Sequence, residues 1–218
     1  KKNTMSNIWP FVAQSFILAS QSPRRQSLMQ TCGFRFTVQV QPTAEDWPAH
    51  LQHADIAMHI ATQKALAVAN TAQQTPQQQP IVSADTIVLL DNTVVLGKPE
   101  NASHAYEMLN QLAGQTHSVI TGMCLLWQNR QHTFYEETLV EFNTLSPEQI
   151  HWYIDNCQPY DKAGSYAIQE WIGMVGIKSI SGCYYNVMGL PLSRFSLEYR
   201  NFLDQCLLYK LFASKQQK

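Results

Sequence analysis

The chain has 218 residues, 45% of them hydrophobic and 14% charged, which is typical of one folded α/β domain or two small domains and not of a disordered segment. Its 15 basic and 16 acidic residues give a formal charge of −1, which excludes a general attraction to nucleic acid or an anionic membrane, so any phosphate site must be local. Five cysteines are widely spaced without a CxxC pair and indicate neither a disulfide framework nor a zinc site, as expected for a reducing cytoplasm.

The first 14 residues carry no readable chemistry and are predicted to be an extension ahead of a single domain over residues 15–218. A weak likeness to a signal peptide, two lysines followed by apolar residues, is interrupted by Gln14 and Ser15. The sequence contains no run of about 18 apolar residues, so it predicts no membrane-spanning helix. We therefore expect a cytoplasmic protein whose partners include neither a membrane nor a nucleic acid.

Capping and turn residues set the predicted elements of the first half. Ser15 to Ala19 is predicted to be a buried strand, and the next helix has Ser22 as its N-cap, Pro23 as its first residue and Gly33 at its end. Periodicity and turn signals predict a half-buried strand over 34–40, a long helix over 49–70, a surface loop over 71–80, and two strands over 81–90 and 93–96 joined by a tight turn.

The second half alternates in the same way. The pattern predicts a helix over 101–113, a strand pair over 116–127 and 132–142, a helix over 146–156, loop and strand over 164–189, and a final helix over 193–212. Strands and helices that mix without an internal repeat predict an α/β domain with a partly antiparallel sheet.

The start of the first helix is a predicted anion site, because its free backbone N–H groups follow the segment ASQSPRR. Arg24 and Arg25 oppose the helix dipole there, typically at a cost of about 0.3 to 1 kcal/mol, so helix formation alone would not favour them. A phosphate chain would favour them, since two guanidinium groups can bind its oxygens bidentately. The open alternative is two solvated surface arginines. Lys64 and Lys98 are further candidates with weaker local support.

Asp85 is anomalous because it lies in an otherwise apolar strand, IVSADTIV, where an ionised carboxylate needs a partner. That partner is predicted to be a divalent cation or one of the basic residues above, and the alternative is a purely structural ion pair. Glu45 is a candidate second metal ligand, with its neighbour Asp46 as a competing choice. His50 and His53 share i, i+3 spacing without a third ligand and are interpreted as helix-surface residues.

Four successive motifs carry a family resemblance: FILASQSPRRQSL, VSADTIVLLDNTVVLGKPE, AGSYAIQEWIG and YYNVMGLPLSR. They are similar to the motifs of the Maf family of nucleoside triphosphate pyrophosphatases. The resemblance implies an α/β fold with a mixed twisted sheet flanked by helices and a cleft between two lobes, as in inosine triphosphate pyrophosphatases. It also implies cytoplasmic hydrolysis of a nucleoside triphosphate to the monophosphate and pyrophosphate, with Mg²⁺ or Mn²⁺ as cofactor, often by a homodimer.

The resemblance implies a role for each of seven residues: proton acceptor for Asp85, phosphate binding for Arg24, Arg25 and Lys98, and completion of the site by Ser22, Glu45 and Lys64. Glu45 and Asp85 are the expected metal ligands. These residues predict metal-assisted attack of water on the α-phosphorus, without a protein nucleophile.

Thr86 and Gln169 match positions tied to base selection. The branch of the family that cleaves dTTP and UTP has Ala-Asp-Thr in the central motif and Gly-x-Tyr-x-Ile-Gln in the later one, as residues 84–86 and 164–169 do here. Three residues depart from the family pattern: Gln21, Ser83 and Glu170. The last of them would place a carboxylate beside Gln169.

Two other functions stay open at this stage. One is a pyrophosphatase of the same fold for 7-methyl-GTP or another modified nucleotide, against which Thr86 and Gln169 argue. The other is a nucleotide-binding regulator of cell division without significant catalysis. A complete set of acidic and basic residues is more than a binding protein of that kind needs.

Overall fold

The fold is built around one mixed β-sheet. A computed structural model describes residues 14–71, 79–127 and 130–215, so the features predicted at 1–13, 72–78 and 128–129 lie outside the described residues. Seven strands are seen in the described part: β1 (Phe16–Leu18), β2 (Phe36–Val38), β3 (Ile81–Leu90), β4 (Val94–Leu96), β5 (Thr116–Trp127), β6 (Arg130–Phe142) and β7 (Ile177–Ser181). They are ordered β2-β1-β3-β5-β6-β7, with β4 paired to β3. β1 is parallel to β2 and β3, and the other pairs are antiparallel, which confirms the predicted mixed sheet.

Helices cover both faces of this sheet. They are α1 (Pro23–Thr31), α2 (Ala54–Thr71), α3 (Ala102–Leu112), α4 (Pro147–Cys157), a 3₁₀ helix (Ala163–Ser165), α5 (Trp171–Val175), α6 (Tyr184–Val187) and α7 (Leu192–Lys215). Three helices begin where the sequence predicts, and each has an N-cap: side-chain oxygens of Ser22, Asn101 and Ser146 accept a hydrogen bond from the backbone N–H three residues on. These bonds satisfy donors that a helix start leaves free. No described helix is long and apolar enough to cross a membrane.

Three predicted elements need correction. The helix expected from residue 49 begins at Ala54, so His50 and His53 lie in the loop before it and not on a helix surface. The ring Nε2 of His53 lies 3.0 Å from the carbonyl oxygen of Asn92, a residue of the turn between β3 and β4. The segment 164–189 contains α5 and α6 in addition to the predicted loop and strand. The half-buried strand predicted over 34–40 is only the short edge strand β2, whose pairing partner is β1.

Alternating side chains of β3 supply the two faces of the sheet. Val82 and Ala84 pack in one cluster with α1 and α7, whereas Val88 and Leu90 pack in a second cluster with α3 and α4. Ile87 lies on the opposite face, against α2. The helices on the first face therefore form two separate groups, with the middle of β3 between them.

The edge of β3 is open at this same place. β1 pairs with Ile81 and Val82, and β4 pairs with the stretch from Val88 to Leu90. Within the described residues, the intervening stretch 83–87 pairs with β5 alone. Side chains from both faces of β3 can therefore reach a cleft at this edge.

Candidate active site

The open edge of β3 borders a cleft of about 960 Å³. All nine residues predicted for the site line it: Ser22, Arg24, Arg25, Glu45, Lys64, Asp85, Thr86, Lys98 and Gln169. They come from four separate stretches of the sequence, the start of α1, the loop before α2 with α2 itself, the β3–β4 region, and the segment before α5. The fold therefore brings these nine predicted side chains together around one cleft.

The two arginines at the start of α1 point to different surroundings. Arg24 Nη1 lies 3.0 Å from Asp161 Oδ2, in a pair that is partly open to solvent. Arg25 is half-buried, and its guanidinium donates to Gly189 O at 2.8 Å, Ala84 O at 2.9 Å and Thr86 Oγ1 at 2.9 Å. Burial lowers the pKa of Arg25, although a guanidinium stays charged in proteins. Arg24 is thus the more available phosphate ligand, and Arg25 joins α1 to β3 and to the loop before α7.

Lys64 links the two candidate acids. It projects from α2, and its Nζ donates to Asp85 Oδ1 at 2.7 Å and contacts Glu45 Oε1 at 2.8 Å. The side chains of Lys64 and Asp85 are only 16% and 13% exposed, so this pair is shielded more than an ordinary surface ion pair. Asp85 therefore has one of the partners predicted for it, a basic residue.

Glu45, and not Asp46, faces the cleft. Burial favours the neutral form of Glu45, but the hydrogen bond and charge of Lys64, with a smaller contribution from Lys98, outweigh burial and lower its pKa. Its backbone has a φ of 53°, in the left-handed region that few non-glycine residues adopt. Asp46 is exposed and accepts a hydrogen bond from Gln63 on α2. These contacts settle which of the two neighbouring acids lies in the site.

The carboxylates of Glu45 and Asp85 both contact one cationic centre, the Lys64 ammonium. Around the described side chains, no group of three or more His, Cys, Asp or Glu residues could hold a metal ion. Two carboxylates nevertheless match the usual way of holding Mg²⁺, in which substrate phosphates and water complete the octahedron. The donor set fits a divalent cation that binds together with a phosphorylated ligand.

Thr86 and Gln169 occupy different environments in the cleft. Thr86 Oγ1 lies 2.9 Å from Thr121 Oγ1 and accepts from Arg25, so it belongs to a hydrogen-bonded network that extends to the buried Asn186 through Thr121. The side-chain amide of Gln169 makes no hydrogen bond to any other described residue. Its donor and acceptor are therefore free for a ligand.

A second charged cluster beside the cleft was missed at the sequence level. Asp161 and Lys162 line the cleft with the predicted residues, and Lys162 contacts Asp161 Oδ1 at 2.7 Å and Glu170 Oε1 at 3.3 Å. In the sequence this Asp-Lys pair looks like two solvated surface charges. The only signal that could have found it is its position directly before AGSYAIQ, the motif that carries Gln169.

The cations and paired carboxylates of the cleft define a site for a phosphorylated ligand on a mixed-sheet α/β domain. A family model described as Maf-like protein matches residues 15–202, and the chain belongs to the Maf family. It is 47% identical over 185 residues to a dTTP/UTP pyrophosphatase of Phocaeicola vulgatus, covering 84% of this chain and 94% of the relative. It is also 47% identical over 179 residues to the dTTP/UTP pyrophosphatase of Bacteroides thetaiotaomicron, covering 82% and 91%. Among solved structures, it is similar to the Ham1 protein of Staphylococcus aureus with a TM-score of 0.43 and 12% identity, over 74% of this chain and 91% of that one.

Proposed function

We propose that this protein hydrolyses dTTP and UTP to the monophosphate and pyrophosphate. The observation that carries the proposal is the meeting of Arg24, Lys98, Glu45, Lys64 and Asp85 in one cleft, in a chain of the same family as its dTTP/UTP pyrophosphatase relatives. The cations suit a triphosphate, and the shielded carboxylate suits a base. A binding protein would not need that carboxylate.

Arg24 and Lys98 bind the phosphate chain in this proposal. The partners that they contact, Asp161 and Glu45, are 58% and 40% exposed in their side chains, and exposed ion pairs contribute little to stability. Both cations can therefore turn from a protein carboxylate to a phosphate oxygen at small cost. The same cations stabilise the charge that develops on the leaving pyrophosphate.

Asp85 is the general base. Lys64 fixes the direction of its carboxylate by donating to Oδ1, and Oδ2 accepts a proton from the attacking water. The water oxygen forms a bond to the α-phosphorus, and the bond from that phosphorus to the α,β-bridging oxygen breaks. Pyrophosphate leaves with the electron pair, and the proton stays on Asp85 until solvent removes it.

Glu45 and Asp85 would hold a Mg²⁺ or Mn²⁺ ion in this proposal. When bound, such an ion polarises phosphate oxygens and neutralises charge. The affinity for Mn²⁺ in the presence of UTP should be at least tenfold weaker in E45Q. Binding is measured as the decrease of the electron paramagnetic resonance signal of free Mn²⁺. The D46N variant is the matched control, because Asp46 faces Gln63 and not the cleft.

A substrate panel tests the function. Pyrophosphate release is measured for dTTP, UTP, CTP and 7-methyl-GTP, with and without EDTA. We expect dTTP and UTP to be cleaved well ahead of the other two, and only with a divalent metal present. Release of orthophosphate and a nucleoside diphosphate would mean attack at the γ-phosphorus and would overturn the proposal, and preference for 7-methyl-GTP would move the protein to the other branch of the family.

The proposal extends to the cellular context. The nucleoside triphosphate is the expected partner, in the cytoplasm where such nucleotides are found, without nucleic acid or membrane, and the enzyme is expected to act as a homodimer. Light scattering of the purified chain during gel filtration gives the oligomeric mass directly. A mass of one chain at micromolar concentration would contradict the homodimer.

A further inference from the structure

Lys162 is a buried lysine beside the cleft. Its side chain is only 8% exposed, and lysine is almost never buried so deeply unless it is paired. It meets two carboxylates, Asp161 on one side and Glu170 on the other. Neither the base nor the phosphate ligands of the proposed reaction require it, so its burial needs a separate explanation.

The cluster around Lys162 alternates in charge and connects two parts of the cleft. Arg24 contacts Asp161 at 3.0 Å, Asp161 contacts Lys162 at 2.7 Å, and Lys162 contacts Glu170 at 3.3 Å. Lys162 and Arg24 together outweigh the effect of burial and lower the pKa of Asp161. One end of this series is a proposed phosphate ligand, and the other end is the residue next to Gln169.

Glu170 is turned away from the cleft. Its carboxylate accepts a hydrogen bond from the hydroxyl of the buried Tyr153 on α4 and forms an ion pair with Lys162. Glu170 is not one of the residues that line the cleft. The Tyr153 hydroxyl also accepts from the backbone N–H of Ala167. The segment that carries Gln169 is therefore tied to α4 through Tyr153, and Lys162 is the cationic part of that attachment.

Removing the charge of Lys162 would unbalance the cluster. Asp161 would be left with Arg24 as its only cationic partner in the series, and it would hold Arg24 more strongly away from phosphate. Glu170 would lose its cationic partner and could swing toward the base site. A free carboxylate there accepts a hydrogen bond from the exocyclic amino group of cytosine, which uracil lacks.

We propose that Lys162 is a positioning residue for base selection: it holds the Glu170 carboxylate out of the base site, so that the Gln169 amide alone meets the pyrimidine, and it leaves Arg24 free for phosphate. This inference rests on the proposed function, and it deepens it by assigning selection against cytosine to a residue that does not touch the base. The Glu170 carboxylate, a departure from the family pattern, is then compatible with uracil and thymine because Lys162 neutralises it.

The test compares kcat/KM for UTP and CTP in K162M and in K178M. Lys178 makes a comparable 2.7 Å contact with Glu141 on the exposed side of β7, so K178M is the matched control. We expect the UTP-to-CTP ratio to fall by about tenfold or more in K162M, mainly through a higher KM for UTP, and to stay unchanged in K178M. The double variant K162M/E170Q should regain most of the ratio, since an amide carries no charge to attract the cytosine amino group.

Equal losses for both nucleotides in K162M, or a double variant with no recovery of the ratio, would overturn the inference and leave Lys162 a merely structural lysine. If circular dichroism shows that K162M does not fold, the comparison of K162R with the wild type decides: arginine keeps the charge and should keep the ratio. In addition, the dissociation constants for UTP and CTP are measured by calorimetry in EDTA, and their ratio is compared between K162M and the unmodified protein. Failure of the proposed hydrolysis would appear as no pyrophosphate from the unmodified protein, whereas failure of this inference would appear as an unchanged binding ratio.

Discussion

At the scale of single residues, the candidate site contains groups that are open to a ligand and groups whose donors are already used to hold its elements together. Arg24 and Arg25 are adjacent in the sequence and look equivalent there, yet Arg24 pairs with an exposed carboxylate, whereas the guanidinium of Arg25 donates to two backbone carbonyls. The role of Arg25 as a phosphate ligand stays a prediction, because three of its donor atoms already meet protein acceptors. Stability measurements can distinguish the two arginines.

Replacing Arg25 by Met should lower the free energy of unfolding by about 3 kcal/mol, because it leaves the carbonyls of Gly189 and Ala84 without a donor in a buried site. Replacing Arg24 by Met should change it by less than about 1 kcal/mol, since its ion pair is exposed. Urea unfolding of both variants measures the difference. Similar losses in the two variants would show that Arg25 does not hold the elements together.

Replacing Asp85 by Asn should lower turnover of UTP by about 10²- to 10⁴-fold, since the amide keeps the shape but cannot accept the proton. The fold should survive, because Lys64 retains Glu45 as a partner at 2.8 Å. Pyrophosphate release and a thermal melt are measured on the same preparation. Full activity with a lowered melting temperature would assign Asp85 a structural ion pair and nothing more.

At the scale of elements, α2 must approach the sheet closely to deliver Lys64. A Cβ atom added at Gly122 of β5 would lie 2.3 Å from the backbone nitrogen of Met58, so only glycine permits this contact. Ser83 on β3 donates to the carbonyl of Ala61 on α2 at 2.6 Å. This hydrogen bond fixes the position of α2 relative to β3. Ser83 thus has a structural role in aligning Lys64 with Asp85.

Replacing Gly122 by Ala should therefore push α2 outward and lower both stability and activity. Overpacking of this kind typically costs about 1–3 kcal/mol, and displacement of Lys64 from Asp85 should reduce turnover beyond the loss of folded protein. Gly97→Ala is the stability control, because nothing lies within 4 Å of its added Cβ. A G122A variant as stable and as active as the unmodified protein would mean that the contact between α2 and β5 adjusts freely.

Local chemistry made most elements predictable. The Ser-Pro starts of α1 and α4 and the turn between β3 and β4 follow from capping rules and from residues that tolerate positive φ, as Asp91 and Asn92 do at 50° and 56°. The short helices α5 and α6 were missed, because four or five residues give too little periodicity to recognise. The Lys162 cluster was missed because contacts between residues that are separated in sequence decide whether a charged side chain is buried. Lys162 contacts Glu170, and Glu170 in turn accepts a hydrogen bond from Tyr153 on α4.

At the scale of the whole molecule, the cleft exists because the sheet is incomplete beside β3. The helices on one face divide into two groups, and β1 and β4 leave the stretch 83–87 uncovered between them. Side chains of opposite strand faces, Asp85 and Thr86, therefore reach one cavity. No sequence period can predict this, because alternation alone would place those two residues on opposite sides of the sheet.

The pH dependence of stability is a further property of the whole molecule, and His117 should dominate it in mildly acidic solution. This residue of β5 is 2% exposed, its Nε2 lies 2.8 Å from the hydroxyl of Tyr166, and its Nδ1 is buried with no hydrogen-bond partner among the described residues. Burial lowers its pKa from 6.5 to about 4, because the charged imidazolium would lose its hydration there.

Between pH 6.5 and pH 4 the unfolded chain binds a proton at His117 that the folded chain does not, so the free energy of unfolding falls as the pH falls. The shift corresponds to roughly 3 kcal/mol across that window. Urea unfolding at pH 7 and pH 4.5 should show most of this loss in the unmodified protein and in H50Q, whose histidine is exposed, but a much smaller one in H117Q. The slope with pH is compared, and not the absolute stability, because H117Q changes the packing against Phe142 and Tyr166 at every pH. Equal slopes in H117Q and the unmodified protein would show that His117 becomes protonated within the folded chain, and the buried contact with Tyr166 would then have to open as the pH falls.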